Sequence, residues 1–154
     1  FETEPDFRLR WEDAGDNPSG ITTAEVIPPK WDGDCWTMYY SPWEHIPAGS
    51  GPYPKPDFNP DALADEFVTA SITTDISGFR SRIRVAYSDD GLSFAGNDVV
   101  VEGGGYDSDD LEAIHAEDMS LIEIAPDRYR MYYAACDRRG NWRLASAVSG
   151  PAVA

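Results

Sequence analysis

Two glutamates stand where chemistry is possible. Glu25 and Glu117 each follow an alanine, just where an apolar, strand-like run begins (Ala24-Glu25-Val26-Ile27 and Ala116-Glu117-Asp118-Met119-Ser120-Leu121). A strand entering a core normally starts on an uncharged residue. A carboxylate there is either bound by the backbone or an arginine of a neighbouring element, or held partly desolvated for use. Desolvation raises a carboxyl pKa, and a carboxyl that keeps its proton near neutrality can serve as a general acid. Asp118 adds a second carboxyl beside Glu117. His115 could bind a hydroxyl or a metal, or simply be a hydrogen-bonded side chain at a strand entrance. His45 lies in a proline-rich stretch that gives it less support. The run Asp107-Ser108-Asp109-Asp110 offers oxygen ligands at alternate positions but lacks the rest of a calcium loop, so it reads as solvated surface charge and calcium is only a weak alternative to no cofactor. No Gly-rich phosphate loop, paired-cysteine motif or Ser/His/Asp motif is present, which argues against nucleotide and zinc chemistry.

The elements that must position these residues repeat. Met38-Tyr39-Tyr40 recurs as Met131-Tyr132-Tyr133, and Asp6 to Glu25 lies over Asp98 to Glu117 at a constant offset. Each unit reads as a strand starting at the Ala-Glu pair, a polar turn (Trp31-Asp32-Gly33-Asp34; Pro126-Asp127), a Tyr-Tyr strand and a third strand (Arg82 to Ser88; Trp142 to Ala147). Period-two alternation with Asp/Gly turns makes these antiparallel meanders. A further strand is expected over Phe7 to Trp11 and at Val99 to Val101. The first unit carries extra residues between its second and third strands, with two turns of helix expected from Asn59 to Phe67.

Four-stranded units repeating at this scale are the signature of β-propeller blades. The expectation is an all-β chain forming one partial domain over 1–154. A first blade would run over about 21–102 with an insertion at 42–80, and a second over about 117–149, with 7–11 as a leading outer strand. Two blades cannot close a ring that needs roughly four to eight. The chain is therefore expected to be a fragment, or to associate head to tail with copies of itself and cover its open edges. Its start at Phe1 rather than Met points to processing or trimming.

Charge narrows the partners. Twenty-eight Asp and Glu against 12 Lys and Arg give a formal charge of -16, which repels phosphate backbones and anionic lipid. Nucleic-acid and membrane-surface roles are not expected. No apolar run has the roughly 18 to 20 residues of a membrane helix, and no leader pattern opens the sequence, so localisation stays unknown. The acid-rich, lysine-poor composition (Lys30 and Lys55 are its only lysines) reads as adaptation to salt. Cys35 and Cys136 sit in apolar runs and read as buried free thiols.

Ala24-Glu25-Val26-Ile27 with Trp36-Thr37-Met38-Tyr39-Tyr40-Ser41, Arg84-Val85-Ala86-Tyr87-Ser88-Asp89-Asp90-Gly91, and Ala116-Glu117-Asp118-Met119 with Tyr129-Arg130-Met131-Tyr132-Tyr133 together resemble the five-bladed β-propeller glycosidases. That superfamily includes arabinanases, xylosidases, invertases, levansucrases and mannoside phosphorylases. The resemblance implies acids at the inner ends of the innermost strands, around a central funnel. The two that do the chemistry straddle the glycosidic bond, about 5 to 5.5 Å apart for retention or about 6.5 to 9.5 Å for inversion. It puts Glu25 at the general acid and Glu117 and Asp118 at supporting positions. The aspartate that would act as base has no counterpart here. The insertion would then rise on the same face as Glu25, bringing Trp43, His45 and Tyr53 to stack on or bond a sugar, together with His115. The alternatives are a non-catalytic carbohydrate-binding module and an inactive, self-associating fragment.

Overall fold

The structure is a computed structural model that describes residues 2–16, 18–45, 79–105 and 108–150. It is all-β apart from one 3-10 turn, Trp11–Asp13. Its strands are β1 (Pro18–Ile27), β2 (Trp36–His45), β3 (Phe79–Ser81), β4 (Ile83–Ser88), β5 (Ala95–Val101), β6 (His115–Ala125), β7 (Arg128–Cys136) and β8 (Trp142–Val148). They form a single hydrogen-bonded sheet in the order β5-β4-β2-β3-β6-β7-β8, with β1 on the other side of β2. Strands β1, β2, β4 and β5 make one antiparallel meander, and β6, β7 and β8 a second.

β3 and β4 are one strand with a missing rung. Their register against β2 is continuous, from His45↔Phe79 to Trp36↔Ser88. The gap at Arg82 falls opposite Pro42, which has no N–H to give the ladder. The ladders of the two meanders are joined by the parallel bridge Ser81↔His115. Beyond that bridge β6 rises over the face of the first meander, with β1 and β6 side by side. Tyr39, Ile83 and Val101 of the first meander pack there against Leu121, Met131 and Tyr133 of the second. The opposite face of the first meander, carrying Met38, Tyr40 and Ala86, is covered by Leu9 and Ala14 of the N-terminal segment.

The hairpin tips are built from short polar devices. At the β1–β2 tip Gly33 has φ +89°, and Asp34 accepts from the N–H groups of Lys30 and Cys35, each at 2.9 Å. At the β6–β7 tip Asp127 adopts φ 55° and its N–H donates to Glu123 at 3.0 Å. Lys30 joins the two tips, reaching Glu123 at 2.5 Å and Asp127 at 3.0 Å over the Tyr129 ring. Cys35 and Cys136 are free thiols.

Three expectations need correction. No strand forms over Phe7–Trp11. Asp6 takes φ 69°, and the segment is held to the β4–β5 loop by isolated bonds, Phe94 N–H to the Arg8 carbonyl at 2.9 Å and the Arg8 guanidinium to the Leu92 carbonyl at 3.1 Å. β1 starts at Pro18, well before Glu25, because Pro18 sits at the first position of an edge strand where its missing N–H costs no ladder bond. The β2 and β3 strands claim both margins of the expected insertion, and 46–78, with Tyr53 and the expected helix, lie outside the described residues.

Candidate functional site

Residues opposite one another across a ladder project from the same face of a sheet. The register makes Trp43, Ser81, His115, Cys136 and Trp142 one continuous row across five strands. Their side chains form a stack. The His115 ring lies between Trp43 (centroids 5.0 Å, 29° between planes) and Trp142 (5.3 Å, 17°). Ser81 Oγ hydrogen-bonds His115 Nδ1 at 3.0 Å, and Ser81 and His115 are both buried. In the next row, Glu117, Ala134 and Leu144 face the same way. Glu117 is only 7% exposed, and its Oε2 accepts the Trp43 indole N–H at 2.5 Å. Phe79 closes the margin, tilted against Trp43 at 5.6 Å and against His45 at 4.6 Å.

The arrangement combines three abilities. Trp142 keeps 38% of its surface open and presents an aromatic face at the rim. Glu117 supplies a carboxylate oriented by an indole donor, in a site from which most water has been removed. His115 is locked by two ring contacts and a hydroxyl. A pyranose stacks its C–H face on an indole and gives hydroxyls to a carboxylate, so the set suits a sugar better than a phosphate, which the carboxylate would repel.

The structure brings together Trp43, His115 and Glu117, and separates Glu25 from them. Glu25 pairs with Tyr39, whereas Trp43 pairs with Gly20 at the opposite end of β1, roughly 15 Å away along the strand. Glu25 and Glu117 are also not equivalent. Tyr132, the counterpart of Tyr39, pairs with Ser120, and Ser41, the counterpart of Ala134, pairs with Thr23. The ungapped offset between the repeats fails because the first hairpin spends nine residues between its last pair, Ile27↔Thr37, and the second only two between Ala125↔Arg128, which leaves Glu25 close to its tip and Glu117 far from its own. The expectation that the insertion rises beside Glu25 therefore fails too: its first residues, Trp43 and His45, emerge beside Glu117. Asp118 sits in the β6 bulge, exposed, with φ 53°. His45 is exposed against Phe79. Asp110 and Asp109 are used locally, Asp110 accepting Gly104 N–H at 3.0 Å and Asp109 pairing with Arg138 at 2.6 Å. Among the described residues no group of His, Cys, Asp or Glu is arranged to hold a metal.

Sequence reasoning missed Trp142, Ser81 and Phe79. Trp142 opens the third strand of the second unit, and counting back along the ladder from Cys136 would have put it beside His115. It also missed the largest electrostatic feature, on the opposite face. Glu44 is completely buried and receives Arg80 Nε at 3.0 Å, Arg82 Nε at 2.9 Å, an Arg84 guanidinium nitrogen at 2.7 Å and the Asp16 N–H at 3.0 Å. Asp16 caps the three arginines from solvent, at 2.7 Å from Arg82, whose hydrogen bond holds its carboxyl below the ordinary 3.8. Arginines at 80, 82 and 84 share one face by strand alternation, a signal legible in the sequence. Comparison of the chain with protein-family models, curated proteins and solved structures returns no match.

Proposed function

We propose that this chain is a β-propeller-type module, related to glycoside hydrolases, that engages an oligosaccharide or polysaccharide at the margin where β6 begins. The observation that carries the reading is the Trp43–Glu117 hydrogen bond beside the Trp43–His115–Trp142 ring stack. Two consecutive antiparallel meanders with their first strands side by side support the propeller part. In this reading Trp142 is the sugar platform, and Glu117 takes the role of acid that the resemblance gave to Glu25. Glu25 and Asp118 stand away from the ring stack, so the described residues offer Glu117 no second carboxylate across a glycosidic bond. Binding is therefore the activity the described residues support by themselves, and hydrolysis or phosphorolysis needs a second acid from beyond them.

The test is calorimetric titration of the chain against soluble plant and microbial polysaccharides, with turnover followed by release of reducing ends. Trp142→Ala should weaken binding at least about tenfold with the fold intact by circular dichroism, as loss of a stacking aromatic does. If turnover occurs, Glu117→Gln should abolish it while binding persists, which makes Glu117 the acid. Binding without turnover identifies a carbohydrate-binding module. Absence of both sinks the proposal.

A further inference from the structure

The two meanders repeat not only in strands but in the way each face is used. In the first, Met38 and Tyr40 point toward the N-terminal segment and Tyr39 points toward the second meander. In the second, the counterparts Met131 and Tyr133 point back at the first meander. Tyr132, the counterpart of Tyr39, points away from it and is 41% exposed. The face around Tyr132 thus repeats a surface that, one unit earlier, packs against a stacked meander through Tyr39 and Ile83. It carries apolar residues that solvent does not require: Leu144 is 76% exposed, Ile122 55% and Ile124 41%.

Charge separates this face from the rest of the molecule. Its central rows, Ser120–Tyr132–Ser146 and Ile122–Arg130–Val148, hold one arginine and no carboxylate, in a chain of formal charge -16. The far side of the molecule is its complement. The segment 2–16 lies over Met38 and Tyr40, with six carboxylates against Arg8 and Arg10, and Phe7 stands 81% exposed on its surface. One end of the stack is therefore apolar with a cation. The other is acidic, with the exposed Phe7 on its surface.

We propose that the Tyr132 face of one molecule receives the N-terminal-segment face of a second copy. The contact continues from chain to chain the face-to-face stacking that the two meanders already make within one chain. Phe7 of the incoming copy enters the surface formed by Ile122, Tyr132 and Leu144, and the acids around Phe7 meet Arg130. The interface is heterologous, because the two patches differ, so it propagates beyond a dimer unless the rotation closes a ring.

The test is light scattering and sedimentation over a concentration series. The wild-type chain should exceed its 17.0 kDa monomer mass, rising with concentration to at least twice that value. Ile122→Glu and Phe7→Glu should each stay monomeric across the series. An equimolar mixture of the two should form a defined species of twice the monomer mass, because each retains one intact patch of the pair. Arg130→Glu, which alters charge without touching the core, should weaken association at least about tenfold and guards against misfolding of the apolar variant. The proposal is overturned if the wild type stays monomeric at every concentration, if Ile122→Glu still associates, or if the Phe7→Glu chain dimerises alone, which would mean a symmetric contact between two Tyr132 faces.

Discussion

The two meanders share a strand pattern and differ in cover. The first has both faces packed, one by the second meander and the other by Leu9 and Ala14. The second has one face packed, and on the other Leu144 is 76% exposed. The strands are not what makes the difference, because Met38-Tyr39-Tyr40 and Met131-Tyr132-Tyr133 sit at equivalent places. It comes from the N-terminal segment, which the second unit has no counterpart for among the described residues, and from the Glu44 lattice that ties Asp16 of that segment to β2 and β4. An exposed meander face thus becomes a stable one through a short irregular segment and a buried ion cluster.

The largest break in that comparison should come from Glu44→Ala. It takes the buried carboxylate from three guanidiniums, two of them nearly fully buried, leaves them to Asp16 at the solvent side, and removes the acceptor of the Asp16 N–H. Removing one partner of a buried ion cluster typically costs about 3 to 5 kcal/mol. The loss should appear as a lower denaturation midpoint and as faster amide exchange over residues 9–16, with the second meander still protected. If both meanders lose protection equally, the lattice supports the whole molecule and not one face.

A smaller effect should distinguish packed from open faces directly. Ile83 is fully buried between the meanders, and Ile83→Ala should cost about 2 to 4 kcal/mol through lost transfer energy and a residual cavity. Leu144→Ala, on the open face, should stay within about 0.5 kcal/mol when measured in dilute solution. Comparable losses would mean that the Leu144 side chain is covered in solution by something other than a second copy.

Much of this comparison was legible in the sequence, and the failures have physical causes. The Tyr-Tyr strands and the strands at Arg82 to Ser88 and Trp142 to Ala147 were correctly read from period-two alternation, because successive residues go to opposite faces with different surroundings. β1 was misjudged because Ile21-Thr22-Thr23 alternates at a half-buried edge, where the hydrophobic signal is weak. The equivalence of Glu25 and Glu117 failed because the two hairpins spend different numbers of residues in their turns, which moves the pairing without leaving a gap in the sequence. Trp43, His115 and Glu117 were singled out one by one, each for its type. Their convergence was not, because it depends on the single bridge Ser81↔His115 between elements far apart in the chain. Pattern reasoning sees neighbours along a strand, and a bridge of that kind has no local sequence signature.

The smallest effect concerns the end of the molecule where the meanders are held together by charge. Lys30 joins the β1–β2 tip to Glu123 and Asp127 of the β6–β7 tip. All three side chains are solvent-accessible, so Lys30→Met should lower the melting temperature by no more than about 3 °C at neutral pH. The pH dependence is the sharper reading. The hydrogen bond from Lys30, with the Asp127 N–H second, holds the Glu123 carboxyl below its ordinary 4.5, so the folded state favours the ionised form. The stability this confers is present above pH 4.5 and is lost as pH falls below that value toward the folded pKa. Lys30 is shifted upward by the same partner, and its own contribution is lost only in strong alkali, above its ordinary 10.5. Thermal melts of wild type and Lys30→Met should therefore differ at pH 7 and converge as the pH is lowered through 4 to 3. Curves that stay parallel across that range would mean that Lys30 steadies the two tips through its ammonium over the Tyr129 ring, with the carboxylates as bystanders.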